Sequence, residues 1–157
     1  MRLTAFSDVS LRTMMLLVGV ESGSRLTTQQ IAEAIDSPYH HVTKAVARLR
    51  SLGLVDAARG RSGGVAITPA GGRETVGRLL RELEGDQPMV ECEAADGACP
   101  LDSSCRLRAA LGKAREAFYA ALDDIVVSDL PHARQMGPVM LSLGLTVSQG
   151  ETTPQLP

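Results

Sequence analysis

Apolar residues recur at helical spacing along the first part of the chain. They predict a first helix over residues 6–21, which Gly23 ends. A second helix is predicted to begin at Thr27, because Gln30 three residues later completes a capping-box pattern. The apolar residues of this second helix share one face: Ile31, Ala32 and Ile35.

A third helix is predicted directly after a tight break in the chain. Ser37 is expected to be its N-cap and Pro38 its first helical residue, and Gly53 ends it. One face is apolar at i, i+3, i+4 and i+7 spacing, through Val42, Ala45, Val46 and Leu49. The opposite face is predicted to present Tyr39, His40, Thr43, Lys44, Ala47 and Arg48, with His41 at the helix edge.

The next pattern is that of a β-hairpin followed by a helix. Residues 54–57 and 65–68 are short and β-prone, and the segment between them is rich in glycine and arginine, which suits a hairpin tip. Thr68-Pro69 is predicted to begin a single fourth helix that continues to Gly85.

A longer helix is predicted from Cys105 onward, and a tail follows it. Apolar residues at alternating steps of four and three form a heptad-like seam, which is typical of a helix that pairs with another helix. From Pro131 the composition turns to Pro, Gly, Ser, Thr and Gln, so residues 131–157 are expected to form a flexible tail. The seam consists of Leu107, Leu111, Ala114, Phe118, Leu122 and Ile125.

Composition is consistent with one mainly helical domain with appendages. The chain has 157 residues, 44% of them apolar, and only four are aromatic. Residues 1–84 are assigned to a DNA-binding unit, 85–105 to a cysteine loop, and 106–130 to a dimerisation helix with the segment after it. We see no signal peptide, and the apolar run over residues 14–20 is too short to span a bilayer. A cytoplasmic location with reduced thiols is therefore expected.

The order of helix, helix, turn, helix and basic hairpin predicts a winged helix-turn-helix that binds DNA. Residues 38–64 hold five Lys or Arg against one acid, although the whole chain carries −2. An arginine at the hairpin tip suits a narrow A·T-rich minor groove. The alternatives are a solvated amphipathic face and a plain basic loop. The predicted DNA contacts are Thr28, Tyr39, His40, Thr43, Lys44, Arg48, Arg59, Arg61, Ser62 and Gly63.

The chain has three cysteines, and all lie in one acidic stretch. Six residues separate Cys92 from Cys99, and five separate Cys99 from Cys105. Seven Asp or Glu and no Lys or Arg lie between residues 82 and 102, so three thiolates there need a compensating cation or metal cluster. The alternative is three ordinary reduced thiols. No nucleophile elbow, phosphate loop or metal-hydrolase spacing is present in the sequence, so an enzyme is not expected.

Several short motifs in this order resemble the iron–sulfur winged-helix regulators typified by IscR and NsrR. The similarity covers roughly residues 1–130. It includes Met1-Arg2-Leu3-Thr4 with Asp8 and Leu11-Arg12, Pro38-Tyr39, the segment 59–64, Arg81-Glu82-Leu83-Glu84-Gly85, the three cysteines, and Glu116-Ala117-Phe118-Tyr119.

The resemblance implies a cluster with three cysteine ligands and one further ligand. The IscR type has a histidine three residues after the last cysteine, where this chain has Arg108. The chain is more similar to the actinobacterial NsrR type, which implies a [4Fe-4S] cluster held by Cys92, Cys99 and Cys105 of one subunit and Asp8 of its partner. That family usually has five residues between the first two cysteines, and this chain has six. Alternatively, Asp8 caps the first helix or pairs with Arg12. The substitute ligands would then be Glu91, Glu93, Asp96 or Asp102.

The function implied by the resemblance is that of a homodimeric repressor. It would hold a palindromic DNA operator while its cluster is intact and release it after reaction with nitric oxide. Two alternatives remain: a regulator of the same family that senses iron, redox or cluster status, and a zinc-bound structural or interaction domain.

Overall fold

The computed structural model of the chain describes residues 3–20, 23–60, 63–85, 88–90, 99–100 and 105–145. The three helices of the first part are α1 (Ala5–Gly19), α2 (Thr28–Ala34) and α3 (Tyr39–Ser51). The hairpin is β1 (Val55–Ala58) and β2 (Gly64–Ile67), and it is followed by α4 (Pro69–Gly72) and α5 (Val76–Glu84). The last elements are α6 (Arg106–Ala120), a 3-10 helix (Val127–Asp129) and α7 (Ala133–Ser142).

Local side-chain caps start the first two helices. The Thr4 hydroxyl accepts from the Ser7 amide at 3.1 Å and caps α1. At α2 the predicted capping box is confirmed, because Thr27 and Gln30 each accept from the other's backbone amide. These contacts satisfy amides that a helix leaves without intrahelical partners. They fix where each helix enters the core.

The start of α3 differs by one residue from the prediction. Pro38, not Ser37, is the N-cap, and no side chain caps the helix. The Pro38 carbonyl accepts the first helical bonds, from His41 at 2.9 Å and Val42 at 3.3 Å. A residue in the N-cap position has an extended backbone and gives its carbonyl to the helix, and Pro38 with a ψ of 134° meets both conditions. The proline therefore ends the turn and does not open the helix.

The hairpin is antiparallel and is joined to the segment before α2. Val55 pairs with Ile67, and Ala58 with Gly64. Leu26 forms a bridge with Val65 through two backbone bonds of 2.7 and 3.0 Å. This isolated bridge holds the tip end of β2 against the segment before α2.

The predicted single helix after the hairpin is two helices, α4 and α5. The Thr75 side chain accepts from the Arg78 amide and starts α5 anew. Thr75 also bridges Val126, and the Glu74 carbonyl accepts from Val127, so the backbone between the two helices bonds to the segment after α6. Long-range pairing therefore replaces helix continuity here.

Helix α6 is shorter than its seam predicts. It ends at Ala120, so Leu122 and Ile125 lie beyond it and are partly buried against the core. Their carbonyls accept from Gly77 at 3.0 Å and Val76 at 2.9 Å, in the first turn of α5. The first amides of α5, which have no partners inside the helix, thus donate to carbonyls of the segment after α6.

The prediction of a flexible tail from residue 131 was wrong for α7. Met136 and Met140 are buried, and a Cβ built on Gly19 would lie 2.7 Å from the Met136 Cε, so α7 packs directly on the end of α1. Two buried methionines anchor a helix whose composition is otherwise that of a loop, and which contains Pro138. Residues 146–157 lie outside the described part of the chain.

The core is aliphatic and lies among α1, α2, α3 and α5. Met14, Ile31, Leu49 and Leu79 are fully buried. Of the helices in the described residues, none is long and apolar enough to cross a membrane.

Candidate nucleic-acid interface and metal centre

Helix α3 has one packed face and one open face, as predicted. Val42, Ala45, Val46 and Leu49 are buried against the core. All six residues predicted for the opposite face are exposed, and they are Tyr39, His40, Thr43, Lys44, Ala47 and Arg48. The open face is therefore polar and basic.

Most of the open face is available to a ligand. Tyr39 is 53% exposed at the first turn. The Thr43 hydroxyl donates back to the Tyr39 carbonyl at 2.9 Å, and Lys44 is exposed beside it. His40 stacks edge-on against His41, with 4.2 Å between ring centroids, and both are exposed, so His41 does not pack against the core.

Thr28 occupies the first position of α2 and is half-buried. In a helix-turn-helix the first of the two paired helices crosses the DNA backbone. A phosphate contact by Thr28 stays a prediction.

Arg48 differs from the other open-face residues, because it is tied to α5. Its Nη2 donates to the Glu82 carbonyl oxygen at 2.9 Å and to the Glu82 Oε2 at 3.3 Å. The pair is on the surface, with 42% of the Arg48 side chain and 59% of the Glu82 side chain exposed. No sequence pattern signalled this pairing, because 34 residues separate its members.

The hairpin forms the predicted wing, and its described tip residues are open. Arg59 and Gly60 are exposed, and Gly60 has a φ of +109°. Gly63 donates to the Gly60 carbonyl at 2.9 Å, and a Cβ on Gly63 would lie 2.5 Å from the Ala58 oxygen. Only glycine fits that approach. Arg61 and Ser62 lie outside the described residues.

Arg25 positions the wing, and sequence reasoning missed it. Its Nη1 donates to the Gly64 carbonyl at 3.0 Å, and its Nη2 pairs with the Asp56 carboxylate. The hydrogen bond and charge of Arg25 lower the pKa of Asp56 below its ordinary value. Arg25 thus joins β1 and β2 to the segment before α2. Its only sequence signal was its place just ahead of the Thr27 cap.

The cysteine segment is described only in part. Cys99 is half-buried, and Cys105, also half-buried, is the N-cap of α6, so this thiol is placed where the proposed dimer helix begins. Cys92 lies outside the described residues. Within those residues, no group of three His, Cys, Asp or Glu side chains is placed to hold a metal ion.

Asp8 lies in the first turn of α1 and pairs with Arg12. Its Oδ1 accepts from Arg12 Nε at 3.1 Å, and its Oδ2 is 2.6 Å from Arg12 Nη2. The alternative that Asp8 caps the helix is wrong, because Thr4 is the cap. The alternative pairing with Arg12 is present. Ligation by Asp8 across a dimer stays a prediction.

Helix α6 leaves most of its apolar seam uncovered. Leu107 is 64% exposed and Phe118 is 37% exposed, although both are large and apolar. Ala114 is exposed as well, and Leu111 is half-buried. On a different side of the helix Tyr119 is buried.

A charged cluster holds α6 on α5. Arg81 donates to Asp123 at 2.6 and 2.9 Å and to the Glu116 carboxylate, and its guanidinium lies 5.4 Å from the centroid of the Tyr119 ring. The Arg81 hydrogen bonds lower the pKa values of Glu116 and Asp123, whereas burial raises the pKa of Tyr119. In the sequence, Arg81 was notable only as part of the family motif, and its contacts with α6 were not predicted.

Comparisons with known proteins agree with a regulator that binds DNA. The Rrf2 family model, described as "Iron-dependent Transcriptional regulator", matches residues 3–133. The HTH-type transcriptional repressor NsrR of Streptomyces coelicolor is 51% identical over 144 residues, which are 91% of this chain and 96% of that protein. The HTH-type transcriptional regulator NsrR of Geobacillus kaustophilus is 36% identical over 131 residues, which are 83% of this chain and 89% of that protein.

Solved structures agree on the fold. The structure of T. potens IscR has a TM-score of 0.57 and 20% identity, and the match covers 96% of this chain and 94% of that one. At this identity the likeness shows the fold alone. It confirms the predicted class, mainly α with a small β-hairpin in a winged helix-turn-helix arrangement.

Proposed function

This chain belongs to the Rrf2 family of transcriptional regulators, not to an enzyme family, and from that premise we propose that it is a homodimeric DNA-binding repressor that senses nitric oxide through a [4Fe-4S] cluster. The observation that carries the proposal is the arrangement around the cysteines. In the sequence they lie between α5, which follows the wing and α4, and α6, a helix with an uncovered apolar seam. A ligand held there would be next to both the DNA-binding unit and the dimer surface. We place the protein in the cytoplasm.

In this proposal two surfaces contact DNA. The open face of α3 enters the major groove, with Tyr39, His40, Thr43 and Lys44 nearest the bases and phosphates. The wing tip lies over the adjacent minor groove, where the glycines permit close approach to the backbone. The proposed wing contacts are Arg59, Arg61, Ser62 and Gly63, and Thr28 contacts a phosphate.

The α6 seam is the proposed dimer surface. A leucine 64% exposed at the start of this helix and a phenylalanine 37% exposed eleven residues later lie on the same side of it. Exposed apolar rows of this kind are covered by a partner in stable proteins. A symmetric dimer would hold two α3 helices at a separation of about 34–36 Å, which matches half-sites one helical turn apart. The operator would then be palindromic, and A·T-rich where the wings lie.

The cluster would be held by Cys92, Cys99 and Cys105 of one subunit and Asp8 of the other. The donor set fits, because thiolates suit Fe–S clusters, and 48% of the Asp8 side chain is exposed. When bound, the cluster would supply iron that reacts with nitric oxide. Asp8 would have to exchange its bond with Arg12 for a contact across the dimer. The spacing of the two α3 helices would then depend on that cross-subunit tie.

Anaerobic purification followed by treatment with nitric oxide tests the proposal. We expect a coloured protein with stoichiometric iron and sulfide, and we expect its affinity for DNA to fall after nitric oxide is added. Replacing any one cysteine by Ala should abolish stable cluster binding, because too few ligands remain. A colourless protein with stoichiometric zinc would contradict the cluster and favour the structural alternative.

Iron status is the second candidate signal, because the matching family model is described as iron-dependent. Nitric oxide and iron are separated by measuring DNA affinity with the cluster intact, removed by a chelator, or treated with nitric oxide. A response to removal alone would favour iron or cluster status.

A further inference from the structure

Among the described residues, Arg48 is the one predicted α3 contact in an intramolecular ion pair. The same nitrogen, Nη2, lies within hydrogen-bonding distance of both the carbonyl and the carboxylate of Glu82. Lys44, one turn earlier on the same face, has no ion pair with any residue in the described part of the chain. Before DNA binds, Arg48 is therefore in an ion pair and Lys44 is not paired with any described residue.

The position of Glu82 explains why it attracts a guanidinium. Glu82 is in the last turn of α5, which ends at Glu84. The last carbonyls of a helix have no intrahelical partner, and this end of the helix dipole is negative. Arg48 satisfies one of these carbonyls and faces a full negative charge on the same residue. Two oxygens and a negative charge are also what a DNA phosphate offers to arginine.

We propose that Glu82 is an internal competitor of the DNA phosphates for Arg48. In free protein Arg48 is held on the end of α5, and in the DNA complex it leaves Glu82 for a phosphate at the flank of α3. Each contact is weakened by the other, because one guanidinium serves both. This inference rests on the proposed DNA-binding function and adds a residue that sets its affinity. DNA binding would also loosen the last turn of α5, since coupling between two sites is reciprocal.

The size of the effect follows from the exposure of the pair. Exposed ion pairs contribute about 0.2–1 kcal/mol, so Glu82→Gln should tighten DNA binding by about one and a half- to fivefold. Arg48→Gln should weaken it and lower the slope of affinity against salt by about one. The decisive quantity is the effect of Glu82→Gln in the Arg48→Gln background. It should vanish there, because the competition requires the guanidinium.

The experiment uses the full chain in four forms: wild type, each single variant and the double variant. Affinity is measured by fluorescence anisotropy for two duplexes. One has a random sequence, and the other is selected from a random library for binding to the wild-type protein. Glu33→Gln is the matched control. Glu33 is an exposed carboxylate on α2 that bonds to Gln29, and its loss changes net charge equally. Circular dichroism of each form checks that the helices are kept.

Each outcome decides the proposal. Tighter binding by Glu82→Gln alone, without a matching gain from Glu33→Gln, supports it. An equal gain in the Arg48→Gln background would overturn it, because a general charge effect would then suffice. Weaker binding by Glu82→Gln would also overturn it and would make Glu82 a support that aims Arg48 at DNA. If wild-type protein binds neither duplex, the proposed function fails before the competition is tested.

Discussion

Helices α3 and α6 are both amphipathic, yet they leave opposite kinds of surface uncovered. Every apolar residue of the α3 pattern is buried, and what remains outside is polar and basic. On α6 the one buried residue is Tyr119, whereas the seam residues Leu107 and Phe118 are exposed. An uncovered basic face suits a polyanion, and an uncovered apolar seam suits another helix. The single chain thus completes the packing of α3 and leaves the seam of α6 uncovered, where we propose that a second chain packs.

The largest expected effect tests the packed side of α3. Leu49→Ala should destabilise the protein by about 2–5 kcal/mol, because Leu49 is fully buried and its loss leaves a cavity. Urea denaturation measures this loss. It should be the same at every protein concentration, since the core of one chain supplies the contact. A loss that disappears on dilution would mean that α3 packs across subunits.

The next effect tests the open side of α6. Leu107→Asp should turn a dimer into a monomer, because burial of a leucine contributes about 1.5–3 kcal/mol in each subunit and a carboxylate there costs more. Analytical ultracentrifugation over a range of concentrations measures the state. Leu141→Asp is the control, because Leu141 is 76% exposed on α7 and lies outside the seam. If both Leu107→Asp and Leu141→Asp are dimers, the seam is not the dimer interface.

A smaller effect compares one lysine from each helix. Lys44→Ala on α3 should weaken binding evenly across DNA sequences and reduce the salt slope by about one. Lys113→Ala on α6 makes the same change of charge at an exposed site away from α3, and it should leave the slope unchanged. Titrations of one duplex at several salt concentrations measure both. Equal slopes for the two variants would contradict the docking of α3.

The smallest effect concerns the side of α6 that is already packed. Arg81 lowers the pKa values of Glu116 and Asp123, so its stabilising contribution is full above the unfolded pKa values and is lost as pH falls through the folded ones. Arg81→Gln should therefore cost stability at neutral pH and less at acidic pH. Urea midpoints at both pH values measure the difference. Arg78→Gln replaces an arginine whose side chain is 74% exposed and pairs with Glu74, and it should have a smaller effect on both.

Much of the first part of the fold could be predicted because its signals are local. The Thr27–Gln30 capping box, the apolar spacing of α3 and the glycine-rich hairpin tip each act over a few residues, and each was confirmed. The break between α4 and α5 was missed because it depends on a bridge from Thr75 to Val126. Helix α7 was missed because its two methionine anchors are meaningful only beside Gly19.

The candidate site divides in the same way. Exposure of the α3 face follows from helical periodicity, so Tyr39, Thr43 and Lys44 could be assigned from spacing alone. The contacts of Arg48 with Glu82 and of Arg25 with Gly64 join residues 34 and 39 positions apart, and no local pattern encodes them. The roles of Asp8 and the cysteines depend on a second chain and stay predictions.

The bridge between Leu26 and Val65 has a thermodynamic consequence for DNA binding. Because two backbone bonds and Arg25 fasten β2 close to the wing tip before any DNA arrives, folding itself has already restricted that backbone. Binding then need not immobilise this end of β2, and a smaller loss of conformational entropy opposes the complex. The amides of Leu26 and Val65 should accordingly exchange with deuterium at rates typical of the core, with or without DNA. Folding therefore sets the position of the wing relative to α2 before DNA binds.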